Sequence, residues 1–296
     1  MNLRKILAGT GVAIVTPFSQ DLSVDYNALE KLIDYTVANG VNYIVTLGTT
    51  GETPVLSTEE KMEIILFTEK SIAGRVPMVI GVGGNDTASV IKDLQTYPLD
   101  GAVAILSASP YYSKPSQEGI YQHYKAIASA SPKPVILYNV PGRTGRNMTT
   151  ATTLRLAQLD NVAGVKEAGN DIKQVIEILK GRPEHFLVAS GDDDLVLPET
   201  ACGIDGVISV AANAFPKVFT SMVNHALQNE FAEAVKINNQ LLEVYKLLFA
   251  ENNPSGVKAF LFEMGLIQNE LRLPGVPLSI DLHNDIKKYL ATTSLL

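Results

Sequence analysis

An alternation of two kinds of segment constrains this chain more than any other feature of its sequence. Short apolar, β-branched runs are each followed by a turn signal and then by a segment of helical period, which is typical of parallel strands joined by helices. Eight such runs occur along the 296 residues, and eight strands close a (β/α)8 barrel. The sequence therefore predicts an α/β fold, a (β/α)8 TIM barrel. The predicted strands cover residues 11–16, 43–47, 77–82, 102–106, 134–138, 162–166, 186–189 and 206–210.

Amphipathic segments between these runs predict the helices that cover the barrel, and a capping box of Ser57 and Glu60 marks the start of one of them. After the eighth strand and its helix the strand signals stop, which predicts a C-terminal helical extension. The predicted division is a (β/α)8 barrel over residues 1–229 and a helical extension over 230–296. The predicted helices cover residues 25–39, 58–72, 87–96, 117–130, 149–158, 171–180, 194–201 and 216–228, then 231–250, 255–264 and 280–291 in the extension.

Composition and charge narrow the classes of function. Hydrophobic residues make up 46% of the chain, which is enough for a large core. The formal net charge is −7 and there is no long basic run, so we expect no binding to nucleic acid, whose phosphates need clustered cations. Cys202 is the only cysteine, which excludes an intrachain disulfide and favours a reducing compartment, the cytoplasm.

The first 18 residues carry Arg4 and Lys5 before an apolar run, as a signal peptide would. Glycines interrupt that run and no convincing cleavage site follows, so we interpret it as the approach to a buried first strand. No stretch reaches the roughly 18 uninterrupted apolar residues that a membrane span needs. We therefore expect neither export nor membrane insertion.

Two side chains stand at the ends of neighbouring predicted strands, where the active face of such a barrel lies. Lys166 ends the sixth strand, where burial disfavours an ammonium relative to the neutral amine that attacks a carbonyl carbon. Tyr138 ends the fifth strand and offers a phenol for proton transfer. A salt-bridged lysine and a solvated rim tyrosine are the plainer interpretations of the same positions.

Two loops at the same face offer groups that bind anions. Gly48-Thr-Thr-Gly51 combines flexible backbone with the hydroxyls of Thr49 and Thr50, although any tight turn can use these residues. Arg143 lies in a loop of proline and glycines, where its guanidinium can clamp a carboxylate or pair with a surface acid.

No cofactor or metal site is predicted. The four histidines show no paired ligand spacing, and the run Asp192–Asp194 is better explained as a helix cap or a charged rim than as a metal site. Gly81-Val-Gly-Gly84 lacks the later glycine and the downstream acid of a dinucleotide-binding fingerprint.

Six motifs lie at the ends of predicted strands. They are Gly48-Thr-Thr-Gly-Glu52, Pro110-Tyr-Tyr112, Tyr138-Asn-Val-Pro-Gly-Arg-Thr-Gly145, Gly164-Val-Lys-Glu167, Ser190-Gly-Asp-Asp193 and Gly206-Val-Ile-Ser-Val210. Taken together, these motifs resemble the dihydrodipicolinate synthase family, with a likeness that runs from the first strand into the C-terminal helices. Their order along the chain makes the set specific, although each motif alone is weak.

The resemblance implies condensation of pyruvate with L-aspartate-4-semialdehyde to 4-hydroxy-tetrahydrodipicolinate, on the diaminopimelate route to lysine. It implies a covalent Schiff base with the substrate and no separate cofactor, in a homotetramer built as a dimer of dimers. The implied catalytic residues are Lys166 for the Schiff base, with Tyr138, Thr50 and Tyr112 as a proton relay in which Tyr112 comes from a neighbouring subunit. The implied binding residues are Arg143 for the semialdehyde carboxylate, with Thr49, Thr50, Gly191 and Ile208 shaping the pyruvate pocket.

Two other functions fit the same scaffold. N-acetylneuraminate and 2-keto-3-deoxy sugar-acid lyases share the barrel, lysine and tyrosine, but Arg143 before Thr-Gly and Thr49 in place of serine favour the synthase. A non-catalytic barrel that binds keto acids is the more distant alternative, and it leaves the lysine, tyrosine and threonine set unexplained.

Two departures from the family pattern affect regulation and the C-terminal segment. Thr58, Lys61 and Ser89 replace the histidines and glutamate of a lysine-inhibited family site, and cationic Lys61 repels an ammonium, so we expect weak or absent inhibition by lysine. Asn85 and Tyr111 keep that pattern. The segment 253–258 resembles the family's Asn-Pro-x-Pro-Val-Lys except at Gly256, and we assign it no catalytic role.

Overall fold

A computed structural model of the protein describes residues 2–295. Eight parallel strands close into a barrel in chain order, with β8 paired to β1, as the sequence predicts. Similarity to solved barrels, reported below, confirms this fold class. The strands are β1 Gly9–Ala13, β2 Tyr43–Thr46, β3 Met78–Gly81, β4 Ala102–Ala108, β5 Val135–Asn139, β6 Val162–Glu167, β7 Leu187–Ser190 and β8 Gly206–Ser209.

Helices follow the strands around the barrel and continue beyond it. Three of them have the bounds that the sequence predicts, and the other predicted helices differ by one or two residues at one or both ends. The short helices α1 and α6 were not predicted. They are α1 Leu3–Ile6, α2 Tyr26–Ala38, α3 Thr58–Ile72, α4 Thr87–Thr96, α5 Gln117–Ala130, α6 Pro141–Thr144, α7 Thr150–Leu156, α8 Ile172–Gly181, α9 Val196–Cys202, α10 Pro216–Leu227, α11 Phe231–Phe249, α12 Ser255–Glu263 and α13 Ile280–Thr292.

The start of α3 shows how local sequence sets a helix end. The Ser57 side chain accepts the Glu60 N–H at 3.2 Å, and the Glu60 carboxylate accepts the Ser57 N–H at 2.9 Å. This reciprocal pair satisfies two donors that the first helical turn leaves unpaired. The predicted capping box is confirmed.

Alternating strand residues divide the apolar core into two layers. One set, which includes Val45, Val79, Ile136 and Leu187, fills the barrel interior, and the other packs beneath the surrounding helices. Burial on both faces explains why the strands appear in the sequence as nearly continuous apolar runs. The polar side chains at the carboxyl ends of the strands lie together at one face of the barrel.

The first strand begins and ends earlier than predicted, at Gly9 and Ala13 instead of residues 11 and 16. Gly9 pairs with Gly206 of β8, where a Cβ on Gly206 would lie 2.1 Å from the Gly9 carbonyl oxygen. Beyond the strand, the Val15 N–H donates to the Asn213 side chain at 3.2 Å. The prediction was wrong here because glycines that permit close strand approach look like turn residues in the sequence.

The helices α11 to α13 pack against the barrel through α10 and α12. The Phe260 ring of α12 meets the Phe215 ring edge to face at a centroid distance of 5.4 Å. The predicted division after residue 229 falls in the short connection between α10 and α11, and it stays a prediction. Within residues 2–295, no helix is both long enough and apolar enough to cross a membrane.

Candidate active site

A cavity of about 740 Å³ opens at the carboxyl ends of the barrel strands. It collects most of the residues that the sequence singles out and several that it does not. The lining residues that matter below are Gly48, Thr49, Thr50, Lys61, Tyr111, Tyr138, Arg143, Lys166, Gly191, Asp192, Asn252 and Asn253.

Lys166 and Tyr138 form the centre of this cavity. They are register partners on β6 and β5, and their side chains are 5% and 8% exposed. The Lys166 Nζ lies 4.5 Å from the centroid of the Tyr138 ring. None of the ion pairs formed by residues 2–295 includes Lys166, so the salt-bridge interpretation of this lysine finds no support.

Gly191 forms the wall beside this lysine. A Cβ at this position would lie 2.9 Å from the Lys166 Cε and 2.6 Å from the Ala168 Cβ, which is too close for any side chain. The Gly191 N–H donates to the Glu167 carbonyl at 2.6 Å and fixes the wall to β6. Glycine here leaves room for the lysine and for a ligand next to it.

The acidic run 192–194 does not cap a helix. The N-cap of α9 is Leu195, which makes no side-chain cap bond, so the helix-cap alternative was wrong. Asp192 lines the cavity, as the charged-rim alternative predicts. The Asp193 carboxylate accepts the N–H groups of Val210 at 3.1 Å and Ala211 at 2.7 Å, which ties the end of β7 to the end of β8. Burial raises the pKa of Asp193 to about 6, and it raises that of cavity-lining Asp192 to about 6 against the opposing charge of Lys166.

The turn after β2 is a short 3-10 helix, Thr49–Gly51. Its Thr49 and Thr50 N–H groups find no hydrogen-bond acceptor within residues 2–295. The Thr50 hydroxyl accepts a bond of 2.9 Å from the Asn253 side chain, and the Thr16 hydroxyl donates to the Gly51 carbonyl at 2.7 Å. Consecutive free N–H groups in a turn held from both sides suit an anion such as a carboxylate.

Arg143 lies in α6, at the rim of the cavity. Its guanidinium donates to the Asn252 side chain at 3.1 Å and to the Asn253 carbonyl at 3.3 Å. These neutral partners orient the guanidinium without neutralising it, and it forms no ion pair with another of the described residues. Its positive charge is therefore available to a ligand.

The structure does not bring every expected residue to the cavity. Tyr112 is 89% exposed and in the left-handed region at φ 67°, whereas its neighbour Tyr111 is a lining residue. Ile208 is fully buried in the barrel interior, and Val210 lines the cavity in its place. The roles of Tyr112 and Ile208 stay predictions.

Three residues of the C-terminal extension that support the site were not predicted from the sequence. Asn252 and Asn253 hold Arg143 and Thr50, and Lys258 of α12 pairs with Glu52 directly behind the turn at residues 49–51. The only available signal was the likeness of segment 253–258 to a family motif. Within residues 2–295, no group of three or more histidine, cysteine, aspartate or glutamate side chains is arranged to hold a metal ion.

The chain is similar to known proteins in both sequence and fold. The model described as "Dihydrodipicolinate synthetase family" matches residues 6–293. A 4-hydroxy-tetrahydrodipicolinate synthase of Parabacteroides distasonis is 52% identical over 290 residues, which cover 98% of each chain. The chloride-inhibited dihydrodipicolinate synthase of Acinetobacter baumannii, solved with pyruvate, is 39% identical with a TM-score of 0.95 over 98% of this chain and 100% of that chain. The Cyanidioschyzon merolae enzyme, solved with lysine bound, is 33% identical with a TM-score of 0.94 over 98% and 99% of the two chains.

Proposed function

The chain belongs to the dihydrodipicolinate synthetase family, and from that membership we propose how its cavity performs the family reaction. The protein is a lyase-type enzyme that condenses pyruvate with L-aspartate-4-semialdehyde to 4-hydroxy-tetrahydrodipicolinate, on the diaminopimelate route to lysine. The observation that carries the mechanism is the buried Lys166 Nζ, 4.5 Å from the Tyr138 ring and free of any carboxylate partner among residues 2–295.

Lys166 forms the covalent bond to pyruvate. Its neutral amine attacks the keto carbon, and loss of water from the resulting carbinolamine gives an iminium ion. The iminium acidifies the methyl group, whose proton leaves to give an enamine. The enamine carbon then attacks the aldehyde carbon of the second substrate, whose oxygen takes up a proton, and the iminium re-forms. The amino group of the semialdehyde attacks the iminium carbon, closes the ring and displaces the Lys166 amine. The lysine therefore serves as the electron sink, and no separate cofactor or metal enters the scheme.

The proton transfers of these steps are assigned to Tyr138, Thr50 and Tyr112. The Tyr138 phenol lies beside the Lys166 Nζ, where water must leave the carbinolamine. The Thr50 oxygen already accepts the Asn253 amide, which leaves its hydroxyl proton free to donate onward. Tyr112 reaches the site from a neighbouring subunit, and its 89% exposure leaves it available for that contact.

The two carboxylates of the substrates have separate binding groups. The free N–H groups of Thr49 and Thr50 bind the pyruvate carboxylate, beside the walls that Gly191 and the backbone near Ile208 form. Arg143 at the rim binds the carboxylate of the semialdehyde bidentately. This division keeps the aldehyde carbon above the enamine formed on Lys166.

The assembly and the cellular location belong to the same proposal. A tyrosine shared between subunits requires at least a dimer, and we propose a homotetramer built as a dimer of dimers. The cytoplasm is proposed as its location, since the single cysteine suits a reducing compartment.

Borohydride trapping tests this mechanism. Wild-type protein reduced with borohydride in the presence of pyruvate should carry the adduct on the Lys166 peptide, whereas Lys166→Met should carry none. Turnover is then measured with aspartate semialdehyde and with N-acetylmannosamine. An unmodified Lys166 would sink the mechanism. Trapping with turnover of the sugar alone would favour a sugar-acid lyase, and trapping without any turnover would favour a keto-acid-binding barrel.

A further inference from the structure

Lys258 is a fully buried lysine that the mechanism above does not use. Its side chain is 0% exposed in α12, where the Nζ pairs with the Glu52 carboxylate and donates to the Glu270 carbonyl at 2.9 Å. The Nζ also lies 4.2 Å from the centroid of the Phe18 ring. The carboxylate, the carbonyl and the ring face each favour the charge of this ammonium.

Glu52 connects this lysine to the anion-receptive turn. It is the residue directly after the turn at residues 49–51, its N–H donates to the Thr49 carbonyl at 3.1 Å, and its backbone is in the left-handed region at φ 54°. A residue other than glycine rarely adopts that conformation unless its surroundings hold it there. The backbone N–H of Arg272 donates to the Glu52 Oε2 at 3.2 Å, whereas Lys258 pairs with the Glu52 Oε1. Both carboxylate oxygens of Glu52 therefore have a partner.

Arg272 lies in the connector between α12 and α13, next to Glu52 and Phe18. Its guanidinium binds the Glu60 carboxylate through bonds of 2.7 and 2.5 Å and lies 4.5 Å from the Phe18 ring centroid. Glu60 is therefore neutralised separately, and the charge of Lys258 is matched by Glu52.

A buried ion pair of this kind is poor evidence of stability, because a neutral apolar pair of similar volume is often as stable or more so. Its better-supported use is to specify one arrangement of the chain. Burial lowers the pKa of Lys258 to about 8 and Glu52 opposes that shift, so the lysine keeps its proton at neutral pH. The ion pair is therefore charged at neutral pH.

We propose that Lys258 is a positioning residue of the active site, which holds Glu52 and thereby the N–H groups of Thr49 and Thr50 in the geometry that binds the pyruvate carboxylate. This proposal rests on the proposed function, in which the pyruvate carboxylate binds the turn at residues 49–51. It makes α12 of the C-terminal extension a part of the pyruvate site. The bond from Asn253 to Thr50 fixes the same turn at a second point.

Three variants test this proposal: Lys258→Met, the neutral pair Lys258→Met with Glu52→Gln, and Glu52→Asp, which keeps both charges but shortens the carboxylate by one methylene. Lys236→Met is the matched control, because that lysine is exposed on α11. For each variant, half-saturating pyruvate is measured by borohydride trapping, half-saturating aspartate semialdehyde by turnover, and the melting temperature by circular dichroism.

Lys258→Met should raise half-saturating pyruvate about tenfold, with half-saturating semialdehyde changed by less than about threefold. The neutral pair should recover the melting temperature, because no unpaired charge is then buried, yet half-saturating pyruvate should stay raised. Glu52→Asp should also raise it in a folded protein. Lys236→Met should match the wild type.

Two results would overturn the inference. One is a half-saturating pyruvate concentration equal to that of the wild type in folded Lys258→Met. If that variant does not fold, the same result in Glu52→Asp would overturn the inference. The other is recovery of both stability and pyruvate saturation in the neutral pair, which would make the ion pair structural only. Absence of trapping in the wild type would instead reject the proposed function itself, so the two failures are distinguishable.

Discussion

At the scale of single residues, the surroundings of Lys166 matter more than its residue type. The chain contains other lysines, but this one is buried at a cavity floor against an aromatic ring, with Gly191 leaving space beside it. Its ammonium gains no ion pair within residues 2–295 in return for the water that burial removes. These surroundings distinguish Lys166 from the exposed lysines of the chain and make it the candidate for the bond to pyruvate.

Tyr138→Phe should lower kcat by about 10²-fold, since it removes the phenol assigned to the proposed proton relay and keeps the ring that packs on Lys166. Steady-state turnover with aspartate semialdehyde measures this, and the melting temperature should not change. Tyr121→Phe is the control, because that ring packs against Arg155 on the helical layer. Wild-type kcat in Tyr138→Phe would remove the tyrosine from the relay.

Lysine should inhibit the enzyme weakly or not at all, because cationic Lys61 occupies a position that matches the family's lysine-binding pocket at the dimer interface. Lys61→Ala should make inhibition stronger, since it removes a charge that repels the inhibitor's ammonium. Initial rates across a lysine titration measure the effect. Lys70→Ala, on the exposed face of the same helix α3, is the control. Inhibition of the wild type at micromolar lysine would contradict the expectation.

At the scale of elements, the pairing of β5 with β6 sets the active-site geometry. Tyr138 faces Lys166 across the pair toward the cavity, and the next residues, Asn139 and Glu167, are register partners as well. The Glu167 carboxylate accepts the Asn139 amide at 2.7 Å and the Gln174 amide at 3.1 Å. This buried network holds in place the strand ends that carry Lys166 and Tyr138.

Glu167→Gln should lower both activity and stability, because its amide would face the Gln174 amide, donor against donor, at a cost of about 1–3 kcal/mol. The swap Glu167→Gln with Gln174→Glu moves the carboxylate across that bond and should recover much of the loss. Melting temperature and kcat of the three proteins measure both effects. A swap no better than the single variant would show that the network does not act through this bond.

At the scale of the whole molecule, buried carboxyl groups make stability depend on pH. Burial raises the pKa of Glu167 to about 7 and that of Glu199 to about 7, above the ordinary value of 4.5. Between pH 4.5 and about pH 7 the folded protein therefore binds more protons than the unfolded chain. The stability that comes from protonating these two carboxyl groups is complete below about pH 4.5 and is lost as the pH rises through 7.

Glu199→Gln should reduce the loss of stability between pH 5 and pH 8, by at most about 3 kcal/mol, because glutamine has no charge to bury. Glu199 is 1% exposed in α9 and lies outside the proposed relay. Melting temperatures across this pH range measure the slope. Glu30→Gln, on an exposed face of α2, should keep the wild-type slope, and an unchanged slope in Glu199→Gln would contradict the prediction.

Subunit sharing is a property of the assembly. Mixing inactive Tyr112→Phe with inactive Lys166→Met should regain about a quarter of wild-type activity in a two-fold dimer, because half of the dimers are then hybrids with one complete site each. The control mixes Tyr138→Phe with Lys166→Met. These two residues face each other within one chain, so no hybrid site is complete. No regain in the first mixture would place Tyr112 outside its neighbour's site.

The sequence by itself determined the eight-strand barrel, the bounds of its predicted helices to within two residues, and the facing lysine and tyrosine. These features repeat locally, since burial imposes a period of two on strands and of 3.6 on helices, and parallel strand ends gather at one face. Only the tertiary structure decided where β1 ends, how Asn253 meets Thr50 and why Lys258 is buried against Glu52. Those pairs join residues about two hundred positions apart, and such contacts are set by strand register and helix packing, which no local pattern encodes.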